Sequence, residues 1–333
     1  MNRPAEASAL AHSNIAFVKY WGNLVGDLRL PYNDSLSMNL SAAHTTTTVS
    51  FDPALASDHL SIDGNAHIGP ALARVSRQLD LVRERAGIQT RASVASANSF
   101  PMGTGIASSA SAFAALTLAA CAAAGLSPSE RELSCLARRG SGSAARSIPG
   151  GFVTWRAAAE DAESYAETVA PAEHWDLRDI VAIVSRQHKQ LGSTGGHDAA
   201  TRSPFFAARI AHSPDDYQAI HQALMDRDMA RFGPAVEREA IALHAIAMTG
   251  DPPALYWSPE TLALLHQVRA WRDAGLPVWF TLDAGPNVHL LCEARHADQL
   301  ETELRRLDMV ETYLHNRAAG PARLIQPDAP AAS

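Results

Sequence analysis

The chain has 333 residues, 47% of them hydrophobic and 19% charged, with a formal net charge of -7. This length favours one large domain or two closely joined domains, and the composition is that of a globular protein rather than a disordered chain. The negative charge argues against nonspecific binding of nucleic acid, which needs a basic face. An anionic ligand would therefore need a pocket that is positive locally.

No targeting or membrane signal stands out in the sequence. The first ten residues lack a basic start followed by an apolar block, which is the pattern of a signal peptide. The longest apolar run, Ala112 to Ala124, is too short to span a bilayer. The cysteines have no paired spacing, which favours free thiols in a reducing compartment. We expect a cytoplasmic protein with neither a membrane nor a nucleic-acid partner.

Short β-prone runs separated by turn signals dominate the first quarter of the chain. Strands are predicted at Ile15 to Tyr20, Leu36 to Leu40 and Thr45 to Phe51. Apolar residues at helical spacing predict a helix over Ala71 to Ala86, and an Ala- and Leu-rich helix follows from about Ile106 to Gly125.

A further helix is predicted to end near Gly140. Its start is marked by Ser127-Pro128-Ser129-Glu130, in which we interpret Ser127 as the cap, Pro128 as the first-turn proline and Glu130 as the third-position glutamate.

The charged segment Ala158 to His174 contains the predicted domain boundary. The elements predicted after it, in order, are a strand at Ile180 to Ser185, helices around Pro204 to Ala211, Tyr217 to Asp226, Met229 to Met248 and Ser258 to Gly275, strands at Val278 to Leu282 and Val288 to Glu293, a helix at His296 to Leu307 and a strand near Met309 to Tyr313. Strands followed by helices favour an α+β fold. We divide the chain into residues 1–175 and 176–326, with 327–333 as a frayed tail.

A glycine-rich, hydroxyl-rich loop, residues 101–107, runs directly into the Ala-rich helix. Gly103 and Gly105 let backbone N–H groups approach an anion, and the helix behind them adds the positive end of its dipole. Ser108, Ser109 and Ser111 add hydroxyl donors or a metal ligand. This is how a protein binds phosphate, and it is also the composition of an ordinary loop before a core helix.

Two charged residues suit the chemistry of such a site. Arg146 ends the stretch from Ser141 through Ser143, and a guanidinium binds a carboxylate or phosphate at two points. Asp283 follows an apolar strand, where a carboxylate is held rigidly and can orient or deprotonate a hydroxyl. The competing interpretations are a surface arginine and a structural turn built on Asp-Ala-Gly-Pro.

Two further stretches combine polar groups with glycine. Lys19-Tyr20-Trp21-Gly22 joins a cation to two aromatic residues that are equally suited to a core, and Ser193-Thr194-Gly195-Gly196-His197 is also typical of a plain loop. His197, like most of the 14 histidines, has no partner spacing that suggests a metal site, and the P-loop, dinucleotide-binding and hydrolase-elbow motifs are absent from the sequence.

Taken in order, these segments resemble the GHMP kinase superfamily and, within it, the diphosphomevalonate decarboxylase branch. The matching segments, within residues 11–293, are Asn14 to Gly22, Leu30-Pro31 with Asn33 and Ser35, Thr45 to Pro53, the glycine loop, Ser141 to Gly151, Ser193-Thr194 and Asp283 to Asn287. The resemblance implies an N-terminal α+β domain and a ferredoxin-like C-terminal domain, with ATP, Mg²⁺ and a mevalonate phosphate ester in the cleft between them. It also implies a homodimer that acts in isoprenoid biosynthesis.

The resemblance also assigns roles to individual residues. The implied catalytic residues are Asp283, Arg146 and Lys19. The implied substrate-binding residues are Tyr20, Trp21, Asn23, Ser141, Ser143 and Ser193. The implied ATP-binding residues are Gly103, Gly105, Ala107, Ser108 and Ser109, with Ser109 also as the Mg²⁺ ligand.

The chain departs from the family at one informative place. Where the family commonly has Tyr-Trp-Gly-Lys-Arg-Asp, this chain continues after Gly22 with Asn23, Leu24 and Val25, so two cations are missing. The family's lysine faces the terminal phosphate of the substrate, and an unpaired anion in a cleft is costly. We therefore expect mevalonate 5-phosphate to be the better substrate, giving isopentenyl phosphate. Arg29 could supply a cation from another direction, which keeps the diphosphate open. A GHMP kinase without decarboxylation would need the same glycine loop, and a non-catalytic nucleotide-binding paralogue would also retain it.

Overall fold

The computed structural model describes residues 5–100, 108–185 and 191–326, which form an α+β fold. The strands are β1 (Ala5–Val18), β2 (Asn23–Val25), β3 (Leu30–Pro31), β4 (Ser35–Phe51), β5 (His59–Ile62), β6 (Asn65–His67), β7 (Ala92–Asn98), β8 (Phe152–Trp155), β9 (Ala166–Ala170), β10 (Leu177–Ile183), β11 (Trp279–Thr281), β12 (Val288–Glu293), β13 (Thr312–Arg317) and β14 (Arg323–Ile325). The helices are α1 (Pro70–Ala86), α2 (Ser108–Ala123), α3 (Glu130–Gly140), α4 (Ser193–Ala200), α5 (Phe206–Asp226), α6 (Met229–Thr249), α7 (Pro259–Asp273) and α8 (Ala297–Leu304).

The first sheet has the order β14-β1-β4-β7-β5-β6, and β8 and β9 extend it from β4. Strand β4 is continuous, so the two strands predicted at Leu36 to Leu40 and Thr45 to Phe51 are one. Its pairing with β1 shifts register between His12 and Asn14, and residues 40–43 of β4 lie in this irregularity. Such a bulge interrupts the sequence pattern without ending the strand.

The second sheet has the order β11-β12-β10-β13. An isolated bridge between Leu40 and Ala318 joins it to the first sheet, and the Asn316 side chain accepts a hydrogen bond from the Ala42 backbone nitrogen at 2.9 Å. Strand β14 pairs with β1, so the last strand of the chain belongs to the first sheet. The division of the chain into two domains between residues 175 and 176 stays a prediction, and β14 is an exception to it because it follows the boundary but joins the first sheet.

Helix α2 lies against β1 and β4 and is buried along most of its length. Several of its alanines, including Ala114, Ala115 and Ala119, are fully buried and let the helix approach the sheet closely. Ser111 is also fully buried, and its hydroxyl lies 2.7 Å from that of Thr45. The prediction that Ser111 offers a hydroxyl to a ligand is therefore wrong.

Three predicted details of the helices differ in the structure. The helices predicted at Pro204 to Ala211 and Tyr217 to Asp226 are the single helix α5. This helix passes through Pro214 because the Ile210 carbonyl, which lacks its usual N–H donor there, accepts a bond from the Ser213 hydroxyl at 2.8 Å. The Ser193 stretch, which is also compatible with a loop by composition, is helix α4.

The cap of α3 is Ser129, not Ser127. The Ser129 hydroxyl accepts a hydrogen bond from the Glu132 backbone nitrogen. In return, the Glu132 carboxylate accepts a hydrogen bond from the Ser129 backbone nitrogen. This reciprocal capping box places the helix start after the proline. Within the described ranges, no helix combines the length and apolarity needed to cross a membrane.

A buried ion pair ties α1 to the edge of the first sheet. Arg83 and Asp58 form two hydrogen bonds to each other, and Asp58 accepts a third from the Ala92 backbone nitrogen at 2.9 Å. Burial alone would raise the pKa of Asp58, but the Arg83 guanidinium and the Ala92 N–H lower it by more than burial raises it. The net shift of the pKa is therefore downward. The carboxylate is therefore ionised in the folded protein.

We expect Asp58→Ala to lower the free energy of unfolding by about 3–5 kcal/mol, because it removes the buried carboxylate partner of a buried guanidinium and leaves only the exposed Asp80 carboxylate beside it. Asp80 contacts the same arginine but its side chain is 58% exposed. Asp80→Ala should therefore cost about 1 kcal/mol or less. Urea unfolding of the two variants measures the difference, and equal losses would contradict this account.

Candidate active site

A cavity of about 520 Å³ is lined by residues from both halves of the chain. Its walls come from the segment after β1, the first turns of α2 and α4, the 3-10 helix Gly142–Ser147 and the turn after β11. The charged side chains of this lining are Lys19, Arg29, Arg74, Arg146 and Asp283. The cavity is therefore positive within a chain that is acidic overall, as binding of an anion requires.

Lys19 and Asp283 form an ion pair at the floor of the cavity. The Lys19 Nζ atom lies 2.8 Å from Asp283 Oδ1 and donates to the Ala16 carbonyl at 2.6 Å. Lys19 is 1% exposed, whereas the Asp283 side chain is 24% exposed. Burial raises the pKa of Asp283, but the nearby charge and hydrogen bond of Lys19 outweigh it and hold the pKa below its usual value. Asp283 is therefore an ionised carboxylate that faces the cavity.

Arg146 is held rigidly beside this pair. Its Nε donates to Asn14 Oδ1 at 3.2 Å, its Nη1 donates to the Ser35 hydroxyl at 2.8 Å, and its guanidinium lies 5.8 Å from the centre of the Trp155 ring. These partners are neutral. Burial lowers the pKa of Arg146 to about 10, so the guanidinium stays charged at neutral pH and is available to an anion.

A row of hydroxyl groups lies on another wall. Ser109 Oγ is 3.0 Å from Ser141 Oγ, which is 3.3 Å from Ser143 Oγ. Ser108 and Ser109 are the first residues described in α2, and both line the cavity. Hydroxyls at a helix N-terminus suit the oxygens of a phosphate. The predicted ligands Gly103, Gly105 and Ala107 lie outside the described residues.

Tyr20 and Trp21 line the cavity, but Asn23 is not among its lining residues. The Tyr20 hydroxyl donates a hydrogen bond to the Asn23 side-chain oxygen. Asn23 is thus engaged by its neighbour, and no cation stands at its position.

Ser193 and Thr194 line the cavity from the first turn of α4. Arg74 and His197 line it as well, although no sequence motif indicated Arg74 and none assigned a role to His197. Arg74 projects from α1, far from the other motifs in sequence. Arg29, the possible replacement for the missing cation, does line the cavity. Its own backbone is in the left-handed region, with a φ of 51°.

A divalent cation would have few protein ligands here. No group of three or more His, Cys, Asp or Glu side chains able to hold a metal ion occurs in the described ranges. The Ser109 hydroxyl beside a polyphosphate fits Mg²⁺, which usually keeps several waters and binds through phosphate oxygens.

Comparison with known proteins identifies the family. The diphosphomevalonate decarboxylase-like N-terminal domain matches residues 11–166, and the mevalonate 5-diphosphate decarboxylase C-terminal domain matches residues 179–324. The phosphomevalonate decarboxylase of Haloferax volcanii is 35% identical over 96% of this chain and 98% of its own. The diphosphomevalonate decarboxylase of Ganoderma lucidum is 33% identical over 89% of this chain and 80% of its own.

A solved structure described as MDDEF in complex with MVAPP, AMPPCP and magnesium has a TM-score of 0.92 and 36% identity, and it covers 97% of this chain and 99% of its own. The fold and these matches define an α+β enzyme with the GHMP kinase fold, as predicted. More narrowly, the chain belongs to the diphosphomevalonate decarboxylase family, whose members are ATP-dependent decarboxylases.

We expect the cavity to bind tripolyphosphate, and Arg74→Gln to weaken that binding by about tenfold, since a hydrogen bond to a charged group contributes about 1.5–3 kcal/mol. Arg77→Gln, an exposed change on the same helix, is the control. Titration calorimetry at low and high salt measures the affinities, and added salt should weaken binding to the unmodified protein. Equal affinities for the two variants would show that Arg74 does not serve the cavity.

Proposed function

We propose that this protein is an ATP-dependent decarboxylase that converts mevalonate 5-phosphate to isopentenyl phosphate, CO₂, ADP and phosphate in isoprenoid biosynthesis. The observation that carries the proposal is the position of the Asp283 carboxylate and the Arg146 guanidinium on one cavity, with the hydroxyl row of Ser109, Ser141 and Ser143 facing the same space. A cytoplasmic homodimer that uses ATP and Mg²⁺ belongs to the same proposal.

Asp283 acts on the tertiary 3-hydroxyl of the substrate. An ionised oxygen of Asp283 accepts the proton of the substrate hydroxyl. As it does so, the hydroxyl oxygen attacks the terminal phosphorus of ATP, and ADP leaves. Lys19 keeps the carboxylate in place and ionised at neutral pH, because the ion pair lowers the pKa of Asp283. Ser108 and Ser109 would hold the ATP phosphates, and a Mg²⁺ ion held beside Ser109 would supply positive charge to balance them.

Arg146 holds the carboxylate that is to be lost. The phosphorylated 3-oxygen leaves as phosphate, and the electrons of the bond between C2 and the carboxylate form the new double bond as CO₂ departs. Because Asn14 and Ser35 fix the guanidinium, the substrate carboxylate is bound without reorganisation of the site. A kinase that stops after phosphoryl transfer would not need this second anion-binding group.

The preference for a single phosphate follows from the charge of the tail-binding region. A diphosphate carries more negative charge than a monophosphate, and Asn23, bonded to Tyr20, supplies no cation to balance it. The relative in Haloferax volcanii is a phosphomevalonate decarboxylase. Mevalonate 5-diphosphate is the second candidate, and the observation that favours it is the guanidinium of Arg29 on the cavity wall.

Steady-state rates with each ester and Mg-ATP test the substrate. We expect kcat/KM to be about tenfold or more higher for the 5-phosphate, and Asn23→Lys to shift the ratio toward the diphosphate by about tenfold, as a new charged contact would. Val25→Lys adds the same charge at an exposed position of the same strand where the family has no cation, and it is the matched control. A clear preference of the unmodified enzyme for the diphosphate contradicts the proposal, and ADP without CO₂ would indicate a kinase.

Asp283→Asn should reduce kcat by about 100-fold or more, because the amide cannot accept the hydroxyl proton. Binding of Mg-ATP, measured by calorimetry, should be retained. Asp298→Asn, on an exposed face of α8, is the control for the chemical change itself. Thermal unfolding of each variant separates loss of catalysis from loss of fold, and near-normal turnover of folded Asp283→Asn would refute its catalytic assignment.

A further inference from the structure

His197 has a side chain that the mechanism above does not use. It lies one turn after Ser193 on α4, it is 7% exposed, and it lines the cavity. Residues one turn apart project from the same face of a helix. The imidazole therefore faces the same part of the cavity as the first turn of α4.

The orientation of the His197 ring is fixed on three sides. The ring centres of Tyr20 and Trp21 lie 4.1 Å and 4.6 Å from it. Its Nδ1 accepts a hydrogen bond from the Gly22 backbone nitrogen at 2.9 Å. Gly22 is required for this contact, because its φ is 98° and an added Cβ would lie 2.9 Å from the Phe206 ring.

This hydrogen bond also decides the tautomer. A neutral imidazole whose Nδ1 accepts must carry its proton on Nε2, which makes Nε2 a donor. Burial, reinforced by the charges of Arg29 and Arg146, lowers the pKa of His197 to about 3. The side chain therefore remains neutral at physiological pH and supplies an N–H group without a charge.

We propose that His197 is a specificity-determining residue whose Nε2–H donates a hydrogen bond to an oxygen of the substrate's 5-phosphate, beside the first turn of α4. The proposal rests on the function proposed above, since it assigns this end of the cavity to the substrate. A neutral donor satisfies a phosphate oxygen without adding positive charge, which suits a monophosphate at the place where the family's cation is missing.

The variants His197→Asn and His197→Gln distinguish the role of Nδ1 from that of Nε2. The asparagine oxygen can accept the Gly22 N–H as Nδ1 does, but its side chain is too short to place a donor where Nε2 lies. The glutamine amide can place a nitrogen there. We expect His197→Asn to weaken binding of mevalonate 5-phosphate by about tenfold and raise its KM similarly, and His197→Gln to recover most of this loss.

Calorimetric binding of mevalonate 5-phosphate without ATP, together with KM and kcat for each ester, is the test. The expected result is a change confined to the ester, with the KM for ATP and the thermal midpoint unchanged. Unchanged ester binding in folded His197→Asn overturns the proposal. A parallel loss of ATP affinity, ester affinity and stability in both variants also overturns it, because that is the result of a structural role.

The experiment distinguishes failure of the His197 assignment from failure of the proposed function. If the unmodified enzyme prefers the diphosphate, the monophosphate assignment fails, yet the binding of the preferred ester to His197→Asn still reports on Nε2. If the enzyme prefers the monophosphate and His197→Asn binds it normally, the function stands and the role of His197 is refuted.

Discussion

The buried ion pair between Lys19 and Asp283 is the contact on which the rest of the site depends. Lys19 follows β1 of the first sheet and Asp283 follows β11 of the second, so the pair joins the two halves of the chain. An unpaired ammonium group at 1% exposure would cost several kcal/mol, and burial alone already lowers the pKa of Lys19. The backbone around Lys19 is equally constrained, because its nitrogen donates to Glu239 at 2.8 Å and its carbonyl accepts from Arg209 at 2.8 Å. These contacts together hold Lys19 and Asp283 against the cavity.

The local charge of the site is opposite to that of the molecule. The net charge of -7 would repel a polyphosphate at long range, so affinity has to come from groups in direct contact. Arg74 and Arg29 supply such groups from α1 and from the segment between β2 and β3. Burial in a low dielectric strengthens each contact, and it also makes each uncompensated cation costly when no anion is bound. Ligand binding should therefore relieve mutual repulsion among the arginines, a gain that a solvent-exposed basic patch would not provide.

Much of the architecture could be predicted from the sequence because helix and strand periods leave local signals. The helix over Ala71 to Ala86 and the strand over Val288 to Glu293 lie almost where the pattern put them. One error arose where a side-chain contact within a helix offset a breaking signal, as at Pro214, where the Ser213 hydroxyl satisfies the Ile210 carbonyl. In the site, Asp283 and Arg146 could be found because their motifs are compact. Arg74 could not, because only the packing of α1 brings it to the cavity.

The distribution of charged and neutral donors has a consequence for selectivity. Each additional cation stabilises each additional negative charge on a ligand, so a cation-rich tail site favours the more highly charged ester. A neutral donor favours an oxygen in the right place and is indifferent to the charge beyond it. The Tyr20 hydroxyl, engaged with Asn23, and the His197 imidazole, engaged with Gly22, are neutral groups on the cavity wall. The positive charge of Arg29 acts on both of these groups and lowers the pKa of each, as does that of Arg146. The Arg29 guanidinium is itself anchored, because its Nε donates a hydrogen bond to the Arg139 carbonyl at 3.1 Å, so its charge is held at one place on the wall.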